Sequence, residues 1–162
     1  MYDLYFVLNI ISMRYLCFCV LFVFSFFKNT GPADTPANRI CGKWESAEKN
    51  LTVEVYPYNN TFKAKIIRFT GGVSKTKPME TITDIKNPDK ALRDRKVLGL
   101  NVVEGLTYNS GSDTWENGKI YEVQSGKYWN VAASLTKDGL LKVKGYWHIK
   151  LLGKTMTFKR VQ

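Results

Sequence analysis

The chain is poor in the side chains from which most catalytic sites are built. It has one histidine, His148, and three cysteines in 162 residues. Cys17 and Cys19 fall inside an apolar run near the N-terminus, which leaves Cys41 with no partner for an internal disulfide once that run is set aside. One histidine and one further cysteine are too few soft ligands for a zinc-type centre, so neither a metal nor a cofactor is expected. There is no Gly-x-Ser-x-Gly elbow, no His-Glu-x-x-His pair, no Cys-x-x-Cys pair and no glycine-rich phosphate loop between a strand and a helix. A Ser/His/Asp or Cys/His device would need His148 as its base. His148 shares its predicted strand face with Lys142 and Lys144, which marks a solvated outer position, so no catalytic residue and no enzyme is expected.

Acidic side chains are scarce too, with 14 Asp and Glu against 24 Lys and Arg, a formal charge of +10. That excess makes anionic partners worth testing and says nothing about fold. Long apolar runs are confined to residues 5–27. As a transmembrane helix this run would hold Arg14 near the bilayer midplane, at roughly 2.5 to 3.5 kcal/mol on insertion scales. Read from Met13 it makes better sense: Met13-Arg14 forms a short basic start, residues 15–27 the apolar segment, and Gly31-Pro32-Ala33 a small-residue cleavage site. Residues 1–33 are therefore expected to be an N-terminal extension plus signal peptide with the true start at Met13, or else an uncleaved anchor. The polar, proline-bearing residues 34–39 are expected as a flexible linker and 40–162 as one exported domain, periplasmic or secreted. Residues 1–27 hold one basic and one acidic side chain, so 23 basic against 13 acidic leave the full +10 on the remainder.

That remainder is built on a period of two. Leu51, Val53 and Val55 alternate with Thr52, Glu54 and Tyr56, Asn59-Asn60 makes a turn, and Phe62, Ala64 and Ile66 alternate with Lys63 and Lys65. The pattern returns where Leu141, Val143, Gly145, Trp147 and Ile149 share one face. With residues 97–103, 120–123, 127–135 and 154–161, and a weaker candidate at 79–85, about eight strands are predicted. Asn87-Pro88-Asp89 offers a cap and a proline start for one short helix ending near Arg93. A meander of short strands with one small helix predicts a mainly β, antiparallel barrel of about eight strands. Closure would remove exposed edges. An aromatic content of 14% is too rich for a disordered chain, and a mean hydropathy of −0.23 excludes a multi-span membrane protein.

Two resemblances follow from particular residues. Gly42-Lys43-Trp44 resembles the Gly-x-Trp signature of lipocalin-like, or calycin, barrels. That resemblance implies that Trp44 plugs one barrel end and that Arg160 covers it by a cation–π contact, a structural pairing. The string Asp84-Ile85-Lys86-Asn87-Pro88-Asp89, followed by Leu92-Arg93-Asp94-Arg95, Gly99-Leu100 and Gly105-Leu106, resembles a bacterial exported family of unknown function, DUF2147. Trp115-Glu116-Asn117-Gly118-Lys119-Ile120-Tyr121, Gly126-Lys127 and Lys142-Val143-Lys144-Gly145-Tyr146 fit its second half. The resemblance runs from Ile40 to Val161 and implies a lipocalin-like barrel, export and no established activity. Glu122-Val123 and Trp147-His148 depart from that family's pattern.

The expected function is non-enzymatic binding in the bacterial envelope, with a small amphipathic or anionic molecule as ligand. Arg68, in register with Phe62, Ala64 and Ile66, is expected at the barrel mouth, or else simply leaving the sheet. Arg93 and Arg95 follow the short helix and could also meet a ligand's charge. Trp129, Trp147 and Tyr121 are candidate walls, and Trp129 and Trp147 may equally be packed core. Asp84, Asn87, Pro88 and Asp89, with Trp115 and Gly118, are expected in loops. A rival reading packs the barrel solid and lets those loops grip another envelope protein. Asp84, Asp89 and Asp94 could collect calcium, though capping is the expected role. No nucleic-acid partner is expected, and membrane contact only through the signal segment if it is uncleaved.

Overall fold

The computed structural model describes residues 35–70 and 77–162, so the expected leader over 1–33 lies outside the described residues. Eight strands follow one another: β1 (Gly42–Ser46), β2 (Leu51–Tyr58), β3 (Thr61–Phe69), β4 (Asn101–Asn109), β5 (Thr114–Glu122), β6 (Lys127–Leu135), β7 (Leu141–Tyr146) and β8 (Gly153–Val161). Each pairs antiparallel with its sequence neighbour, and β1 closes onto β8 with Trp44 opposite Arg160. The closed barrel leaves no edge of the sheet unpaired.

Alternation produces this architecture directly. Phe62, Ala64 and Ile66 of β3 are buried, while Lys63 and Lys65 between them face outward, Lys65 pairing with Glu54 of β2 at 2.9 Å. An eight-stranded barrel is just wide enough inside for side chains to fill it. Here they do: Trp44, Trp115, Val131 and Leu141 are fully buried, and Phe62, Leu106 and Phe158 join them in one cluster. The inward Gly118 makes room for these bulky neighbours. A Cβ there would stand 2.9 Å from both Leu106 Cγ and Val131 Cγ1.

Several elements differ from the sequence expectation. β4 begins at Asn101 rather than Val97, and β5 begins at Thr114 rather than Ile120. Trp115 and Gly118 are thus strand residues, not loop residues. Between them the register shifts, and Asn117 takes a left-handed φ of 63°, so the bulge breaks the alternation that would have announced the strand. Residues 79–85 form no strand; they hold a single 3-10 turn, Met79–Thr81, and one bridge from Thr83 to Lys96. The short helix reduces to the 3-10 turn Lys90–Leu92. Its cap is Asp89, not Asn87, and the Asp89 carboxylate accepts from Ala91 N–H at 2.9 Å. Residues 36–39, expected as linker, belong to a 3-10 turn, Pro36–Ile40, that ends on the buried Ile40.

Replacing Gly118 by valine should overpack the lumen and lower unfolding free energy by about 1 to 3 kcal/mol. Urea denaturation checks this, and a Gly118→Val midpoint equal to the wild type would contradict the packing described.

Candidate functional site

One barrel end is shut by the turn Pro36–Ile40, and the closure is an exercise in satisfying carbonyls. A short 3-10 turn has few N–H groups of its own to offer them. Asn38 N–H and Cys41 N–H donate to the carbonyls of Thr35 and Asn38, and Arg39 Nε donates to Pro36. The other four are met from the barrel. Trp115 Nε1 donates to Ala37 O at 2.9 Å, Trp44 Nε1 to Ile40 O at 2.7 Å, and Arg160 to Arg39 O and Cys41 O at 2.5 and 2.6 Å. The Arg160 guanidinium lies 4.2 Å from the Trp44 ring centre, the contact expected of that pair. Gly42 is needed beside it: its φ is +125°, and a Cβ would collide with Arg160 Nη1. Cys41 is half-buried, and burial pushes its thiol pKa up, which suits an inert position.

A second construction holds the long connection between β3 and β4 against the outer wall. Asp84 is fully buried, and its Oδ2 accepts from Arg95 Nη2 at 2.8 Å, Arg95 Nε at 3.0 Å and Asn87 Nδ2 at 2.8 Å. Its Oδ1 accepts from the Tyr121 hydroxyl of β5 at 2.7 Å. Arg93 Nε donates to Asn87 O at 2.8 Å. The β5–β6 turn nests against the same clamp, because a Cβ on Gly126 would run into Lys86 O. Asp84, Asn87, Asp89, Arg93, Arg95 and Tyr121 are therefore joined, and what they do together is brace a loop. Arg93 is engaged through Nε alone, and Arg95 through Nε and Nη2, with the Arg95 side chain still 30% exposed. Among the described residues no three His, Cys, Asp or Glu side chains are placed to share a metal ion.

Arg68 lies elsewhere than the alternation suggested. The β2–β3 register slips between Thr52 and Val53, setting Arg68 opposite Thr52 and onto the outer wall instead of the barrel mouth. There it donates to Glu45 Oε1 at 2.8 Å, Lys49 O at 2.9 Å and Thr52 Oγ1 at 3.3 Å.

The end of the barrel opposite the plug carries the remaining candidates. Trp129 of β6 and Trp147, one residue past β7, meet edge to face with ring centres 5.6 Å apart. Asn130 Nδ2 fixes the Trp147 carbonyl at 2.5 Å. With Tyr128 and Lys127, which the sequence reading passed over, the two tryptophans line an apolar cleft of about 590 Å³. Lys127 is exposed on its rim. A second cleft, about 480 Å³, lies between Arg95, Lys96 and Glu104 and carries both signs of charge. Beyond Trp147 the β7–β8 loop exposes Ile149, Leu151 and Leu152; alternation put Ile149 on the strand face of Leu141 and Val143, but β7 ends at Tyr146.

Plugged end, filled lumen and open rim together define a lipocalin-like barrel. In keeping with this, the fold is similar to the structure titled "Protein HP1028 from the human pathogen Helicobacter pylori belongs to the lipocalin family". The two share 26% identity over 75% of this chain and 82% of that one, with a TM-score of 0.63. The chain belongs to the family described as "Uncharacterized protein conserved in bacteria (DUF2147)", which matches residues 42–160. No curated protein matches it.

The clamp has a pH signature. Burial first, and then the hydrogen bond to Asp84, push the Tyr121 phenol from 10.0 up to about 12. The folded state therefore holds this proton more tightly than the unfolded chain, and the resulting stability is complete below pH 10.0 and lost as pH rises to about 12. The loss should amount to about 2 to 3 kcal/mol across that window. Urea denaturation at stepped pH should show this limb in the wild type and a flattened one in Tyr121→Phe; equal limbs would refute the assignment. Asp84→Asn, which leaves Arg95 without its buried partner, should cost about 3 kcal/mol at neutral pH in the same assay.

Proposed function

We propose that the protein is an exported, non-enzymatic binding protein of the bacterial envelope that captures a small amphipathic anion at the open rim of its barrel. The observation that carries this reading is the Trp129–Trp147 cleft, about 590 Å³, with Tyr128 extending its apolar wall and Lys127 on its edge. Its size and its mix of aromatic walls with one charged group suit a ligand of drug or lipid-fragment dimensions. The aromatic walls bury the tail, and the Lys127 ammonium meets the acid. A net charge of +10 draws anions toward the molecule before they reach the cleft. Membership of a bacterial family and a lipocalin-like neighbour are compatible with this role. Export rests on the residue pattern of the N-terminal segment, and N-terminal sequencing of the exported form should begin near residue 34.

Because the lumen is filled, the ligand is held at the rim and not along the barrel axis. The filled lumen also supports a second reading, an interaction module that grips another envelope protein through its loops. Of the two segments considered for that, 84–95 is a loop, whereas 115–121 lies in β5. Tryptophan emission separates the two readings. A long-chain fatty acid should change it saturably, the matching alcohol should bind more weakly, and Trp147→Ala should weaken the acid's binding by about tenfold or more. No response across a panel of anionic amphiphiles would overturn capture and leave the interaction module.

A further inference from the structure

The β7–β8 loop breaks the usual rule for turns between strands. Four of its six residues are large apolar side chains that nothing covers: Trp147, Ile149, Leu151 and Leu152 are 54, 59, 82 and 74% exposed. Single exposed apolar residues are ordinary, but a run of them on one loop marks an interaction surface. The loop is also held in its exposed shape. Lys150 Nζ donates to Glu116 Oε1 at 2.6 Å, Lys144 Nζ to Leu151 O at 3.2 Å, and Asn130 Nδ2 to Trp147 O, so three polar contacts tie the loop to the barrel wall while its apolar side chains stay exposed.

The charge around it is predominantly basic, and the acid that reaches the loop, Glu116, is already paired with Lys150. Residues 139–162 contain six Lys and Arg and no Asp or Glu, and Lys142 and Lys154 are exposed on the strands that flank the loop. Exposed Tyr128 and Lys127 lie beside it at the start of β6. A protein partner for an apolar patch needs no such basic excess. A surface with hydrocarbon beneath a negatively charged layer does, and tryptophan favours the boundary between the two.

We propose that residues 147–152 dock the barrel onto an anionic lipid surface, with Ile149, Leu151 and Leu152 among the acyl chains and Lys142 and Lys154 at the headgroups. Insertion is shallow, of the order of 5 to 10 Å, as for interfacial helices. This is a membrane contact made by the folded domain, independent of any leader segment. It shares only Trp147 with the capture cleft, since Leu151 and Leu152 do not line it.

The test uses the full chain and vesicles of phosphatidylglycerol with brominated acyl chains, which quench tryptophan only at close range. Trp44 and Trp115 are buried at the plugged end, so Trp129 and Trp147 report on the rim. Quenching is expected with these vesicles, far less with brominated phosphatidylcholine, and less in 1 M salt, where the screening length is about 3 Å. Leu151→Asp with Leu152→Asp should weaken vesicle binding, read by this quenching, by about tenfold or more. Both positions are exposed, and a wild-type urea midpoint shows that the double variant is folded. No quenching by phosphatidylglycerol would overturn the proposal. Quenching that persists undiminished in the double variant would overturn it too, while supporting lipid capture in the cleft. A dimer by light scattering that the double variant splits would assign the loop to a second copy of the chain instead.

Discussion

Seven consecutive peptide carbonyls, from Thr35 to Cys41, must find donors where the chain enters the barrel, and the fold is organised around supplying them. A buried carbonyl left unpaired costs about 1 to 3 kcal/mol, a penalty that falls most directly on Ile40 O, whose bond from Trp44 is buried. The barrel meets the four that local N–H groups cannot reach with side chains that only donate, two indoles and one guanidinium. Those side chains come from the adjacent strands β1 and β8, where the barrel closes, and from β5, which is not a neighbour of either. One turn thereby ties the β1–β8 seam to β5. The same arrangement explains why Trp44 and Trp115 can be completely buried although each carries a polar N–H, and why Gly42 must leave space for the guanidinium of Arg160.

Much of this barrel was legible in the residues and some of it was not, for identifiable reasons. Strands with unbroken alternation, such as Phe62 to Ile66 or Leu141 to Val143, declare themselves because each residue's environment depends on its own strand. Trp115 and Gly118 were hidden by the bulge at Asn117, which adds a residue and inverts the face of everything before it. Arg68 failed in the same way, since a one-residue slip against β2 moved it to the outer wall. The Pro36–Ile40 turn failed differently. Its composition is that of a linker, and what orders it is an indole 78 residues further along, a long-range contact that no local pattern encodes.

The candidate site follows the same division. Two features looked chemical: the Asp84 to Arg95 string and the arginines within it. The structure assigns them a mechanical task, with every oxygen of Asp84 and a nitrogen of each arginine engaged in holding the β3–β4 connection to Tyr121. Fully satisfied buried polar clusters of this kind rigidify a loop and fix its path. Within this cluster Asp84 has both carboxylate oxygens occupied. The family string therefore speaks about architecture, and the open rim, built from residues of less marked pattern, is where recognition has room to operate.

Filling the lumen changes what a lipocalin-like barrel can do. With the axis occupied by Trp44, Trp115, Phe62, Leu106 and Phe158, the most exposed apolar side chains among the described residues, Leu151 and Leu152, lie on the loop joining β7 to β8. There the aromatic cleft and the exposed loop adjoin through Trp147, and both carry lysine at their margins. The two proposals therefore rest on one chemistry, hydrocarbon joined to negative charge. An amphipathic anion leaving a lipid layer would cross from one to the other along Trp147 without passing through water.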